Sequence, residues 1–193
     1  MKSSFFQGPA LILSIFMGFF ALSTSIASSS TEKTPTKTEI AINAYSLLYD
    51  LLLNEKDVAK VLTISKERKA IDPLIREISV TADESLQILD HSQKKEPALT
   101  FNSAHLPVGE KATRDEISKT KMKNLVANSG EQFSIILLLT QTEALSYASH
   151  LAYVAANNDE NSERSKETLK ISKKMESLYD RTVALLAIKK QIS

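Results

Sequence analysis

Apolar side chains recur at intervals of three and four residues along almost the whole chain beyond residue 36. This spacing places them on one face of an α-helix, whereas a half-buried strand would alternate at every second residue. No segment of the sequence alternates in that way, and four glycines and five prolines in 193 residues are too few turn formers for a many-stranded sheet. The pattern predicts an all-α protein, folded as an up-down bundle of four or five helices.

Three signals in the sequence mark helix starts. Capping boxes at Thr36–Glu39 and Thr113–Glu116 offer a hydroxyl and a carboxylate to free backbone amides. Asp72-Pro73 places an aspartate at the N-cap and a proline at the first helical position. Ser129-Gly130 separates the third helix from the fourth, which is the most apolar of the predicted helices. The predicted helices cover approximately residues 37–54, 72–91, 113–126, 131–156 and 162–189.

The connection between the second and third helices is too long for a tight hairpin. It runs from Lys95 to Gly109 and contains two prolines together with apolar side chains, namely Leu99, Phe101, Leu106 and Val108. Because apolar residues in a connection need a surface to cover, we expect a crossover strap that lies against the bundle.

The N-terminal segment is typical of a secretory signal peptide. Lys2 is followed by a mostly apolar stretch over residues 5–22 and by Ser25-Ile26-Ala27, whose small residues suit a signal peptidase. We therefore predict a signal peptide at 1–27, cleaved after Ala27, a polar tether at 28–36 and a single helical domain at 37–189. The alternative is a retained membrane anchor, since about 20 apolar residues can span a bilayer.

Composition excludes several classes of function. The chain has no cysteine, which removes thiolate nucleophiles and cysteine-ligated metals. Loss of Lys2 with the signal peptide leaves equal numbers of basic and acidic residues, so the mature chain has no excess of positive charge with which to bind nucleic acid. Its isolated glycines cannot build a nucleotide-binding loop. We expect no nucleic-acid or nucleotide partner, no cofactor and no identifiable catalytic residue.

Two pairs of side chains are candidate metal ligands. Glu84 and His91, and likewise Glu143 and His150, stand seven residues apart. Seven residues rise roughly 10 Å along a helix, which is too far for one ion, and the Glu-x-x-His motif of di-iron bundles does not occur in the sequence. Surface or capping roles are therefore favoured for both histidines, and the metal site is left as an alternative.

One polar stripe lies on the most apolar helix. Thr140, Glu143, Tyr147 and His150 fall on one face of that helix. Facing inward, they would need partners and would suit a small ligand or an ion, because a buried unpaired polar group costs about 1–3 kcal/mol. Facing outward, they are the solvent side of an amphipathic helix, which is the reading we favour. Gln141 borders the apolar face and is expected to hydrogen-bond within the bundle.

Three short motifs occur in order along the chain, namely Leu106-Pro107, Lys123-x-Leu125 and Gly130-x-x-Phe133. They are followed by a long apolar helix, a polar turn and a last helix. Over residues 37–188 the chain resembles secreted bacterial ferritin-like domains of unknown function. The resemblance implies an exported four-helix bundle with envelope or stress roles and no assigned reaction. Relatives tend to carry histidine after the Gly-x-x-Phe element, where this chain has Gln141 and Glu143.

These observations favour an exported, non-catalytic helical bundle acting as a structural or interaction module of the bacterial periplasm or envelope. Its partner would be another envelope protein or a second copy of the chain. One alternative is a ferritin-like protein that binds a metal or a small ligand. Another is a membrane-tethered bundle that retains its N-terminal helix.

Overall fold

A computed structural model describes residues 34–64, 70–96, 99–101 and 108–192, and the regular structure within these ranges is entirely helical. The prediction of an all-α fold is thereby confirmed. The predicted signal peptide and the first part of the tether lie outside the described residues. The elements are α1 (Lys37–Glu55), a short 3₁₀ helix (Val58–Thr63), α2 (Asp72–Lys95), α3 (Val108–Val126), α4 (Gly130–Asn158) and α5 (Ser162–Ile192).

The five α-helices pack together, with α4 as the most extensively packed element. Helices α1, α2, α4 and α5 each contact two of the others, in the order α1–α2–α5–α4 and back to α1, and α3 lies against α4. This arrangement explains why α4 is apolar around most of its circumference, since it has neighbours on several sides.

Side-chain contacts show that neighbouring helices run antiparallel. Arg181 on α5 forms two hydrogen bonds with Glu77 near the start of α2. Lys95, at the end of α2, meets Glu163 at the start of α5. In the same way, Ser172 on α5 donates to the Ser149 carbonyl on α4 at 2.9 Å. The two contacts between α2 and α5 make these helices antiparallel, and a second bond near the α4–α5 turn, from the Ser165 hydroxyl to the Ala156 carbonyl at 2.8 Å, shows the same for α4 and α5.

The core is built mainly from leucine, isoleucine and alanine on the inward faces of these helices. Each fully buried Leu or Ile contributes roughly 1.5–3 kcal/mol relative to an exposed one. Tyr45 is 1% exposed and stacks on Phe101 with ring centroids 4.7 Å apart. Phe101 belongs to the connection after α2, so at least this part of the connection covers the core, while 97–98 and 102–107 are outside the described residues.

The first capping box is confirmed. The Glu39 backbone N–H donates to the Thr36 hydroxyl at 3.2 Å, and the Thr36 N–H donates to the Glu39 carboxylate at 2.7 Å. At the start of α4, Gly130 has φ 56°, a left-handed value that a side chain would strain, which explains the glycine at this turn.

Two predicted helix starts are corrected. Asp72 is the first residue of α2 and not its N-cap, which is Ile71, and the Asp72 carboxylate bonds to Arg76 one turn later. The box at Thr113–Glu116 does not form, because α3 already begins at Val108. Thr113 lies inside the helix, where its hydroxyl donates to the Gly109 carbonyl at 2.8 Å. The sequence pattern at Thr113–Glu116 would suit a helix start, but α3 has already begun before it, so the Thr113 hydroxyl bonds within the helix and does not cap it.

Helix α3 buries far less apolar surface than the other helices. Leu125 is 3% exposed, whereas Ile117, Met122 and Val126 are 48%, 45% and 61% exposed. Polar contacts supply much of its attachment to α4: Arg114 donates to the Tyr147 hydroxyl at 2.7 Å, and Lys121 contacts Glu143 at 2.5 Å. Over the described residues, no helix combines the length and apolar character needed to cross a lipid bilayer.

Candidate functional site

The most extensive polar network of the described residues surrounds Arg164, where α4 turns into α5. Its guanidinium contacts both oxygens of Asp159, at 2.5 and 2.6 Å, and Glu96 at 2.8 Å. The Tyr45 hydroxyl donates to Asp159 at 2.6 Å, and the Asn161 amide donates to Glu96 at 2.6 Å. We call these five residues the Arg164 cluster. It ties the α4–α5 turn to α1 and to the end of α2.

Local folding of the α4–α5 turn places three members of the cluster, Asp159, Asn161 and Arg164. Asp159 ends α4 and accepts the Asn161 backbone N–H at 2.9 Å, which forms the tight turn into α5. The Asn161 side-chain oxygen accepts the backbone N–H groups of Glu163 and Arg164, both at 3.1 Å, and so caps the first turn of α5. The Arg164 side chain therefore projects from the first turn of α5 and points back toward the Asp159 carboxylate at the end of α4.

The cluster is shielded from solvent to different degrees. The Asp159 and Arg164 side chains are 2% and 11% exposed, whereas Glu96 is 42% exposed. Asp159 accepts bonds on both carboxylate oxygens, so its accepting capacity is largely used. A buried ion pair costs desolvation and is retained only when its geometry and additional hydrogen bonds compensate for that cost. The bidentate contact and the Tyr45 bond meet this condition.

These contacts shift the pKa values of the cluster. Burial alone would raise the pKa of Asp159, but the bonds from Arg164 and Tyr45 outweigh it and lower that pKa. The pKa of Glu96 is lowered by its bonds to Arg164 and Asn161. Burial, followed by the bond to Asp159, raises the pKa of Tyr45. At neutral pH the cluster therefore holds two carboxylates, one guanidinium and a neutral phenol.

A cleft of about 370 Å³ opens beside the Arg164 cluster. Its apolar wall comes from Ala41, Ile42 and Leu99, and its polar rim from the cluster together with Thr38, Asn158 and Glu160. The rigid network and the apolar wall suit recognition of a ligand or a polypeptide segment. The same bonds leave Asp159 and Tyr45 poorly placed to transfer protons.

The four candidate metal ligands stay at the surface. Glu84 and His91 are exposed on α2, and Glu84 contacts Lys174 at 3.1 Å. Glu143 and His150 are exposed on α4, where the His150 ring nitrogen Nδ1 bonds the Ser146 carbonyl at 2.7 Å. Among the described residues, no three His, Asp or Glu side chains converge as a metal site would require.

The polar stripe of α4 is largely accessible to solvent, but it is not a purely solvent-facing surface, because Tyr147 and Glu143 also take part in the contacts with Arg114 and Lys121 of α3. Thr140 is half-buried, and Glu143, Tyr147 and His150 are exposed. Gln141 is 1% exposed, so it lies inside the bundle, but its side-chain oxygen Oε1 is buried without a hydrogen-bond partner, and the hydrogen bond expected for it stays a prediction.

Sequence reasoning did not find the Arg164 cluster. Tyr45 and Asp159 are 114 positions apart, and no motif relates them. The available signal was local: an acid and an arginine on either side of a polar turn that follows a long apolar helix. An ordinary polar turn between two helices shows the same pattern, because solvated charges in turns are common.

Comparison with known proteins gives no relative for this chain. No protein-family model matches it, and neither the curated proteins nor the solved structures contain a significant match.

Proposed function

We propose that the protein is an exported, non-catalytic helical bundle that binds a partner in the bacterial periplasm or envelope through the cleft beside the Arg164 cluster. The observation that carries this proposal is the combination of an apolar wall with a rim whose buried polar groups are already bonded within the chain. Such a surface is preorganised, so a partner would bind without the cost of ordering it.

Two finer features of the fold belong to the same proposal. We regard the packing of α1, α2, α4 and α5 as a ferritin-like four-helix bundle, with a crossover strap after α2. Support for the strap comes from Phe101, which is 2% exposed and stacks on Tyr45. Leu99 of the same connection lines the cleft, so the strap would also form part of the binding surface.

Site-specific photocrosslinking tests the cleft. A photoreactive amino acid replaces Ile42, which lines the cleft, and in a matched control it replaces Val80, which is 57% exposed on α2. In cells of an exporting bacterial host, we expect one adduct of defined mass from position 42 and none from position 80. An adduct of twice the chain mass would identify a second copy as the partner. Equal adducts at both positions, or none at position 42, would contradict a recognition role for the cleft.

Export is tested separately, by the N-terminus of protein recovered from the envelope fraction. A mature chain that begins at Ser28 would support cleavage after Ala27. A chain that retains residues 1–27 and sediments with membranes would support the tethered alternative.

The metal-binding alternative makes a different prediction. Stoichiometric iron, manganese or zinc in natively purified protein, together with a melting temperature that falls on chelation, would support it. In that case Glu84, His91, Glu143 and His150 would be the first positions to substitute. The structure adds no support to this alternative, since the described residues bring no three such ligands together.

A further inference from the structure

The charges around the cleft beside the Arg164 cluster are unbalanced. Among the described residues that line it are three carboxylates, those of Glu96, Asp159 and Glu160, and a single cation, the guanidinium of Arg164. A smaller groove next to the cleft shares Glu96 and Arg164 with it, and adds two further carboxylates and one ammonium group, those of Glu163, Glu167 and Lys95. This end of the bundle therefore carries an excess of negative charge.

The one guanidinium of the cleft is already paired. Arg164 contacts both oxygens of Asp159, at 2.5 and 2.6 Å, and Glu96 at 2.8 Å, while its side chain is only 11% exposed. An anionic ligand would have to displace one of two carboxylates that the fold itself holds in place. The remaining carboxylates would repel it, and such repulsion selects against a partner as effectively as an attraction selects for one. The cleft is therefore unsuited to anions.

Glu160 is the carboxylate of the cleft that is left for a partner. It is exposed in the α4–α5 turn, and within the described part of the chain it makes no hydrogen bond or ion pair. Glu96 is 42% exposed, and its two oxygens accept one bond each, from Asn161 and Arg164, so each oxygen can still accept another. An ammonium group that enters the cleft therefore finds acceptors without breaking a bond of the cluster.

The apolar wall of the cleft restricts the kind of cation that fits. Ala41 and Ile42 of α1 and Leu99 of the connection after α2 form this wall. Lysine and arginine carry their charge at the end of an aliphatic stem, which packs on apolar surface while the charged group stays near water. A small inorganic cation would leave the wall uncovered. A polypeptide can place an apolar side chain beside the basic one, and so uses both the wall and the carboxylates.

We propose that the cleft recognises a basic segment of a partner polypeptide, in which the aliphatic stem of a lysine lies on the apolar wall and its ammonium group pairs with Glu160 and Glu96. This inference rests on the proposed function, because it names the chemistry of the partner that the cleft would bind. Charge complementarity at such a surface decides mainly which partner is accepted and how fast it associates.

An NMR titration with three short peptides tests the proposal. The peptides are acetylated and amidated at their ends and differ only in the residue between two leucines, which is lysine, norleucine or glutamate. Norleucine has an aliphatic stem like that of lysine but no charge. We expect the lysine peptide to bind most tightly and to shift the backbone amide signals of residues 38–42 and 158–161. High salt should reduce its advantage over the norleucine peptide, because exposed charges are screened.

Two variants locate the charge that is recognised. Glu160→Gln removes the unpaired carboxylate of the cleft and no described bond. Glu176→Gln is the matched control, because Glu176 is an exposed glutamate of α5 that does not line the cleft. We expect Glu160→Gln to weaken binding of the lysine peptide by up to about fivefold, as for an exposed ion pair, and to leave the norleucine peptide unaffected. Glu176→Gln should bind all three peptides as the wild type does.

Three results of the titration would overturn the proposal. The first is a norleucine or glutamate peptide that binds the wild type as tightly as the lysine peptide. The second is an equal loss of affinity in Glu160→Gln and Glu176→Gln, which would reflect net charge and not the cleft. The third is n-butylammonium, the lysine stem alone, binding as tightly as the lysine peptide, which would identify a small amine as the ligand.

Photocrosslinking in cells separates failure of this inference from failure of the proposed function. The photoreactive amino acid at position 42 is combined with Glu160→Lys, and in the matched control with Glu176→Lys. We expect the adduct from position 42 to disappear in Glu160→Lys and to remain in the control. An adduct that persists in both would overturn the basic partner and leave the cleft as a recognition site. No adduct from position 42 in the otherwise unchanged chain would contradict both proposals.

Discussion

Asp159 is the residue on which the end of the bundle depends most. It ends α4, forms the turn into α5, and accepts bonds from Tyr45 and Arg164 while its side chain is 2% exposed. A carboxylate this deeply buried is tolerated because every bond compensates for lost hydration. The same burial makes the Arg164 cluster sensitive to substitution, because removal of one partner of the ion pair leaves the charge of the other buried and unpaired.

Asp159→Asn tests this sensitivity. The substitution keeps the shape but removes the charge that Arg164 faces, and we expect the free energy of unfolding to fall by about 3 kcal/mol. The measurement is urea denaturation at neutral pH. As a control, Asp57→Asn breaks an exposed pair with Lys60 and should cost much less, because exposed ion pairs are screened by solvent. Equal losses of unfolding free energy in the two variants would show that the buried Asp159–Arg164 pair contributes no more than an exposed pair.

The Tyr45 hydroxyl offers a milder test of the same cluster. Tyr45→Phe removes the bonds to Asp159 at 2.6 Å and Thr168 at 3.0 Å but keeps the ring stacked on Phe101. We expect a loss of about 1–2 kcal/mol, because Asp159 retains Arg164 as a partner. Tyr49→Phe, whose hydroxyl bonds Asp90 at a half-buried position, is the matched control and should cost less. A larger loss for Tyr49→Phe would refute the ranking.

At the scale of elements, α3 is the exception among the helices. It has 19 residues, yet of its described side chains Leu125 alone is a buried apolar residue. An isolated helix of this length is marginal in water, and exposed ion pairs add at most about 1 kcal/mol each. The docking of α3 should therefore be weaker than the packing of the other four helices, and it should open independently.

Leu125→Ala is expected to release α3 while leaving the rest of the bundle folded. Hydrogen exchange should show protection lost across Val108–Val126, with α1, α2, α4 and α5 still protected. The control is Met122→Ala on the same helix, where the side chain is 45% exposed and a small effect is expected. Loss of protection throughout the molecule would instead show that α3 is part of the cooperative core.

The elements that sequence predicted best are those with a strong local cause. Helix α1 begins at a capping box that is present in the structure, and α4 begins at the glycine that its turn requires. The errors fall where tertiary context decides. The Thr113–Glu116 pattern is a good cap in isolation, but α3 starts earlier and carries Thr113 within it. A local motif cannot indicate that a helix has already begun.

At the scale of the whole molecule, the fold class was predictable and the site was not. Helical periodicity identifies the inward face of each helix, which is sufficient for an all-α fold. The candidate site depends on which helices become neighbours and in what register. Tyr45, Glu96 and Arg164 come from three separate parts of the sequence.

The pH dependence of the whole molecule combines groups of opposite sign. The pKa values of Asp159, Glu96 and Glu77 are lowered by their arginine and other partners. A carboxylate with a lowered folded-state pKa stabilises the protein above its unfolded pKa, and that contribution is lost as pH falls through the folded value. Glu55, with a raised pKa, acts in the opposite direction. Stability should therefore decline toward acid from these three residues and toward higher pH from Glu55.

Salt separates the contributions on the acid side. Glu77 pairs with Arg181 at the surface, where both side chains are about half exposed, and such pairs are screened at high ionic strength. Asp159 is buried against Arg164 and is screened much less. Melting temperatures measured from neutral to acid pH, in dilute buffer and in concentrated salt, should show an acid decline that persists in salt in the wild type. In Asp159→Asn that decline should be shallower. If the variant instead keeps the full wild-type decline in salt, the acid-sensitive groups lie elsewhere, and the Arg164 cluster stabilises the fold by packing more than by charge.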